Sequence, residues 1–129
     1  MTQATVRKQR PKFLALHEIR LPLPGIVSIL HRVSGAGLFL FLPFILYLFD
    51  RSLGSPESFA AYQGVVANPL VKIILFGLLW AYLHHFCAGI RFLFLDLNKG
   101  VDLQAARNSS RIVLVVSIAL TVIIGAKLW

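Results

Sequence analysis

Apolar residues run through this chain in three long blocks, at about residues 24–49, 69–95 and 112–129, with polar stretches between them and a polar arm over residues 1–20. The blocks lack the alternation of apolar and polar positions that marks the strands of a transmembrane barrel. Each reaches or approaches the roughly 20 apolar residues that a helix needs to cross a hydrocarbon core about 30 Å thick. The pattern predicts three membrane-spanning helices. The third block is the shortest and Lys127 interrupts it near its end. A lysine there can snorkel to the surface, and Trp129 suits a membrane interface, so the block still reads as a span.

Punctuation residues divide the rest. Pro22 and Pro24 fit the first turn of the first span, and Pro43 lies deep within it, where proline predicts a kink. Ser55-Pro56-Glu57 has the form of an N-cap and predicts a brief surface helix in the first loop. Asn68-Pro69 opens the second span, and Asn98-Lys99-Gly100 closes it, with glycine expected at the left-handed cap. A short interfacial segment is expected over about 13–19. With no internal repeat and no low-complexity tract, the chain reads as one domain over 1–129.

Composition narrows the class. The chain has 129 residues, 57% of them hydrophobic and 14% charged, and a soluble domain this small buries too little of its own surface to hide that apolar content. The fold class is an all-α membrane protein. The net charge of +8 is unevenly placed. Arg7, Lys8, Arg10, Lys12 and Arg20 precede the first span, and Arg91, Lys99, Arg107 and Arg111 lie at or in the second loop. The first loop and the C-terminus hold only Arg51, Lys72 and Lys127. The positive-inside rule then sets the N-terminus and second loop in the cytoplasm, against anionic headgroups. Nucleic acid is not an expected partner, since no basic helix stands apart from the spans. Cys87 is the only cysteine and forms no intramolecular disulfide. The first twenty residues have no apolar h-region, so they read as a bacterial N-terminus rather than a signal peptide.

Candidate chemistry sits at the mouths of two spans. In Ser28-Ile-Leu-His31-Arg32-Val-Ser34-Gly35, residues 28, 31, 32 and 35 fall at i, i+3, i+4 and i+7, on one helical face. A charge at mid-membrane is unfavourable by roughly 2.5–3.5 kcal/mol on insertion scales and by less near the surface, so Arg32 asks for a partner. Its guanidinium suits a carboxylate or an anion developing on a quinone oxygen. Ser28 can donate to a quinone carbonyl, or bond back to the carbonyl one turn earlier. The second span carries His84-His85-Phe-Cys-Ala-Gly89-Ile-Arg91, with Asp96 beyond. His85 and Gly89 share a face, and His84 points about 100° away. An imidazole there can ligate haem iron, with glycine letting the macrocycle approach, or can hydrogen-bond a neighbouring helix. Arg91 suits a haem propionate, a lipid phosphate or a plain topology anchor, and Asp96 can pair with it or mark the interface. Three helices with ionisable groups and few internal partners point to one part of a heteromeric transmembrane bundle.

Arg10-Pro11, the octapeptide at 28–35, and His85-x-x-x-Gly89-Ile-Arg91 with Asp96 together resemble the large cytochrome b membrane-anchor subunits of succinate dehydrogenase, respiratory complex II, over nearly the whole chain. The resemblance implies that His85 is one axial ligand of a b-type haem whose second histidine comes from a small companion anchor subunit. It further implies that Ser28 and Arg32 line a ubiquinone site near the cytoplasmic face, and that His31 and Arg32 approach the haem propionates. FAD and iron–sulfur clusters would belong to partner flavoprotein and iron–sulfur subunits. The chain would be a non-autonomous part of the enzyme, in a bacterial inner membrane, delivering electrons from succinate to ubiquinone. Phe92 departs from the many relatives with histidine there, and Lys12-Phe13-Leu14 departs from a Ser-Pro-His variant. The alternatives are the anchor of a quinol:fumarate reductase and a purely structural anchor without haem.

Overall fold

A computed structural model describes residues 17–129. Most of the N-terminal arm, with Arg7, Lys8, Arg10-Pro11, Lys12 and the greater part of the expected 13–19 segment, lies outside the described residues.

Among the described residues, helices account for nearly the whole chain: α1 (Leu23–Leu53), α2 (Pro56–Ala67), α3 (Pro69–Asp96) and α4 (Leu103–Leu128). The three long ones are apolar enough to cross a membrane. Pro22 is the N-cap of α1, and its carbonyl takes the amides of Gly25 and Ile26 at 2.9 and 3.1 Å. Pro24 stands in the first turn, where its missing N–H leaves no bond unmade. The helix runs through Pro43 without a break.

The expected surface helix is α2. Ser55 caps it, its hydroxyl oxygen accepting from the Ser58 amide at 3.3 Å. Asn68 both ends α2 and starts α3, its side-chain oxygen accepting from the Leu70 amide at 2.9 Å.

Two boundaries differ from the sequence reading. α4 begins nine residues before the third apolar block, because Asp102 caps it (Ala105 N–H to Oδ1, 3.0 Å) and the polar turns with Arg107 and Arg111 stay helical. The left-handed cap of α3 is Asn98 (φ 55°) rather than the first glycine after it. The Asn98 amide bonds the Leu95 carbonyl and the Lys99 amide bonds the Phe94 carbonyl, both at 2.9 Å. That bond pair is a Schellman closure, and asparagine tolerates the left-handed region better than most residues. Gly100 (φ 70°) follows as a second left-handed residue.

The interior is narrow. Val27 of α1, Ala88 of α3 and Val113 of α4 form its apolar centre, flanked by Cys87, Phe92 and Leu114. α4 packs through a stripe of small residues, Ser110, Val113, Ser117, Thr121 and Gly125, all buried. Small side chains let helices approach closely in a medium where apolar faces gain nothing by leaving lipid. The hydroxyls of Ser110, Ser117 and Thr121 bond carbonyls of their own helix at 2.7, 3.1 and 2.7 Å, so no polar atom of this stripe is left unpaired. A side chain at Gly125 would overlap the Phe76 ring. Outward surfaces are strongly apolar, with Phe39 and Leu40 each 73% exposed.

Candidate functional site: a histidine seam between α1 and α3

The polar residues predicted on α1 and α3 meet near the Pro22 end of α1. The His31 and His85 rings stack, centroids 4.1 Å apart and 8° from parallel. Each ring lies against a glycine of the opposite helix. A Cβ on Gly35 would stand 2.8 Å from His85 Cε1, and one on Gly89 would stand 3.7 Å from His31 Nε2. Gly35 therefore opens the slot that receives His85. The gap at Gly89 faces the His31 ring, not the open approach for a macrocycle that the sequence suggested.

Hydrogen bonds fix the His85 ring. Its Nδ1 lies 2.9 Å from the His31 carbonyl oxygen and 3.3 Å from Ser34 Oγ. A carbonyl oxygen only accepts, so Nδ1 carries the proton and Nε2 keeps its lone pair. Ser34, buried, donates to the same carbonyl at 2.9 Å. Phe92 packs against the other side of His31, centroids 5.0 Å apart. Phe92 thus closes the seam with an apolar ring.

The face at 28, 31, 32 and 35 is divided in space. His31 and Gly35 enter the seam. Arg32, 100° further round, is exposed on its flank, and Ser28 is half-buried. Among the described residues neither Ser28 Oγ nor the Arg32 guanidinium has a hydrogen-bond or ion-pair partner. Ser28 does not make the backbone bond that was its alternative use.

His84 is separated from this seam. It is fully buried, stacks on Trp80 at 5.2 Å, and neither ring nitrogen has a hydrogen-bond partner among the described residues. An enclosed ring in the bundle interior has no room for a macrocycle, so His85 is the better ligand candidate. Arg91 also turns away, toward α4, with Nε donating to Ser109 Oγ at 2.9 Å and a terminal nitrogen 3.5 Å from the Ala106 carbonyl oxygen. It does not pair with Asp96, which is exposed. Sequence reading missed Ser34 and Ser109. The first was visible as the i+3 neighbour of His31; nothing in the sequence signalled the second.

Fold and seam define a multi-pass helical membrane protein with its polar chemistry gathered at one end of the α1–α3 contact. Residues 6–124 match the family of succinate dehydrogenase/fumarate reductase transmembrane subunits, and the chain belongs to that family. It is similar to the succinate dehydrogenase cytochrome b556 subunits of Coxiella burnetii (38% identity; 94% of this chain and 98% of that protein) and of Paracoccus denitrificans (36%; 91% and 90%). A succinate dehydrogenase 2 membrane subunit of Mycobacterium tuberculosis is 29% identical over 82% of this chain and 81% of its own length.

Proposed function

We propose that this chain is the haem-bearing membrane anchor of a succinate:ubiquinone oxidoreductase, with its N-terminus on the cytoplasmic side of a bacterial inner membrane. The observation that carries the reading is the His85 ring, held through Nδ1–H donated to the His31 carbonyl, which leaves the Nε2 lone pair as the ligating site. A backbone acceptor on the far nitrogen fixes the tautomer and raises the basicity of a ligating imidazole. No cluster of three or more His, Cys, Asp or Glu side chains able to hold a metal ion exists among the described residues. One donor per chain suits a haem whose second imidazole comes from a small companion anchor. Held there, haem b would supply a one-electron store.

This chain's residues then act by holding and orienting. Arg32, a permanent cation with no internal partner among the described residues, binds a propionate or the quinone oxygen as negative charge grows on it. His31, stacked on the ligand ring, approaches the propionates. Ser28 donates a hydrogen bond to a quinone carbonyl. Succinate gives up two electrons and two protons as it becomes fumarate, and ubiquinone takes up two of each to become ubiquinol. The electrons arrive through flavoprotein and iron–sulfur partners, which hold the FAD and the clusters.

The test is a dithionite-reduced minus oxidised spectrum of the intact complex, with wild type beside His85→Ala and His84→Ala. Low-spin b-type bands lost only in His85→Ala support the ligand; loss only in His84→Ala overturns it. Arg32→Leu is expected to depress quinone reduction far more than succinate oxidation by an artificial acceptor at the flavin. Equal loss in both assays would mean disassembly.

A further inference from the structure

We propose that the groove between α3 and α4, at the end carrying Arg91 and Lys99, binds one anionic phospholipid, with its phosphate at the basic end and an acyl chain along the groove. The cavity encloses about 660 Å³. Ile90, Phe94, Ile112 and Val116 give it an apolar wall, Arg91 and Asn108 line it beside them, and Lys99 lines it from the loop past the end of α3. Among the described residues no acidic side chain lines it.

Arg91 makes the case specific. It is only 7% exposed, and its two hydrogen bonds go to a hydroxyl and a carbonyl, neither of which carries charge. No carboxylate lies within ion-pair distance of it among the described residues. A guanidinium has five N–H donors, and a cation withdrawn from water inside a membrane calls for a counter-charge. The groove offers that cation and an apolar channel side by side, and a lipid answers both with one molecule. A free phosphate would use the basic end alone. Basic pockets between spans on the cytoplasmic side are suited to anionic headgroups. The site rests on the proposed topology and is independent of the haem and quinone assignments.

The experiment uses the whole complex in mild detergent, stripped of loosely held lipid and titrated with phosphatidylglycerol or phosphatidylcholine while native mass spectrometry counts bound lipid. Phosphatidylglycerol is expected to bind at one per copy of this chain, ahead of phosphatidylcholine. Lys99→Gln should weaken it about fivefold, which is what one lysine near an anionic surface contributes. Val116→Phe, which fills the groove, should abolish it. Lys72→Gln, at the start of α3 and far from this end, should leave it unchanged. Equal binding of phosphatidylcholine, displacement by millimolar inorganic phosphate, or full binding in both groove variants would overturn the proposal. So would a cross-link from Val116→Cys to another subunit, since the groove would then be a protein interface. Lys99 is an exposed loop residue, so its variant remains informative if the groove-filling one fails to assemble.

Discussion

Gly35→Ala isolates the slot that seats His85. The new Cβ would stand 2.8 Å from His85 Cε1 and 3.2 Å from Nδ1. Carbon–carbon contacts settle near 3.5–4.0 Å, so the ring must withdraw by roughly 0.7–1.2 Å. Its bond to the His31 carbonyl, 2.9 Å at present, then stretches beyond the 2.7–3.2 Å range of protein hydrogen bonds. Losing that bond is worth about 0.5–1.5 kcal/mol. Against it, alanine in place of glycine favours a helix interior by about 0.8–1.0 kcal/mol. The two terms nearly cancel, so assembly and thermal stability should stay close to wild type while the ligand ring changes orientation. The assay is haem absorbance per mole of assembled complex, read from the difference spectrum beside a native gel. The expected result is a clear loss or high-spin shift of the b-type bands in Gly35→Ala. Gly37→Ala is the control, because a Cβ there meets nothing within 4 Å. A wild-type spectrum in Gly35→Ala would refute the idea that this gap positions the ligand, and equal loss in Gly37→Ala would attribute the effect to the helix.

Three other outcomes follow from the same geometry. Ser55→Ala removes the acceptor for the Ser58 amide and should take about 1 kcal/mol from α2, read by hydrogen exchange at its first turn. The Glu57 carboxyl, held below its ordinary 4.5 by hydrogen bonds from Ser55 and the backbone, should titrate higher in that variant by NMR; in wild type its contribution is full above 4.5 and fades as pH falls through the lowered value. Asn98→Val forces a β-branched residue to φ 55° and should lower thermal stability by roughly 1–2 kcal/mol, whereas Asn98→Gly should be close to neutral; equal effects would refute the left-handed cap. His84→Phe keeps a flat ring against Trp80 and removes two buried nitrogens that have no hydrogen-bond partner among the described residues, so unfolding temperature should hold or rise with haem bands intact, and lost bands would make His84 a ligand.

The spans were legible because lipid imposes one rule on every residue of a crossing helix, and a run of apolar side chains records it directly. The helix ends were less legible. Residues 107–111 of α4 (Arg-Asn-Ser-Ser-Arg) are polar, so the apolar block starts only at 112, while the cap at Asp102 that starts the helix depends on backbone geometry. The left-handed turn was placed on glycine by propensity, yet the chain closes α3 two residues earlier at Asn98, with Gly100 a second left-handed residue. Histidine and glycine at one spacing correctly marked a close approach, but not its direction. Periodicity gives angles around one helix and says nothing about which neighbour fills the gap. That is why Gly89 was read as room for a macrocycle when it faces His31, and why Arg91 was left between a propionate, a lipid phosphate and a topology anchor when it turns toward α4.

The seam also explains why so polar a site is tolerable in so small a bundle. His85 and Ser34 are satisfied on one backbone carbonyl at the α1–α3 contact, so the imidazole is oriented without placing another charge in the membrane. The charge that remains at the seam, on Arg32, sits on its exposed flank. α4 contributes no residue to the seam; its small-residue stripe instead lets α3 settle close, and Gly125 against Phe76 sets that spacing at the far end. A side chain at Gly125 would push α4 off α3 without touching the histidines. A side chain at Gly35 would disturb the histidines without parting α3 from α4. The division between holding helices and holding the site is therefore written into which glycine faces which ring.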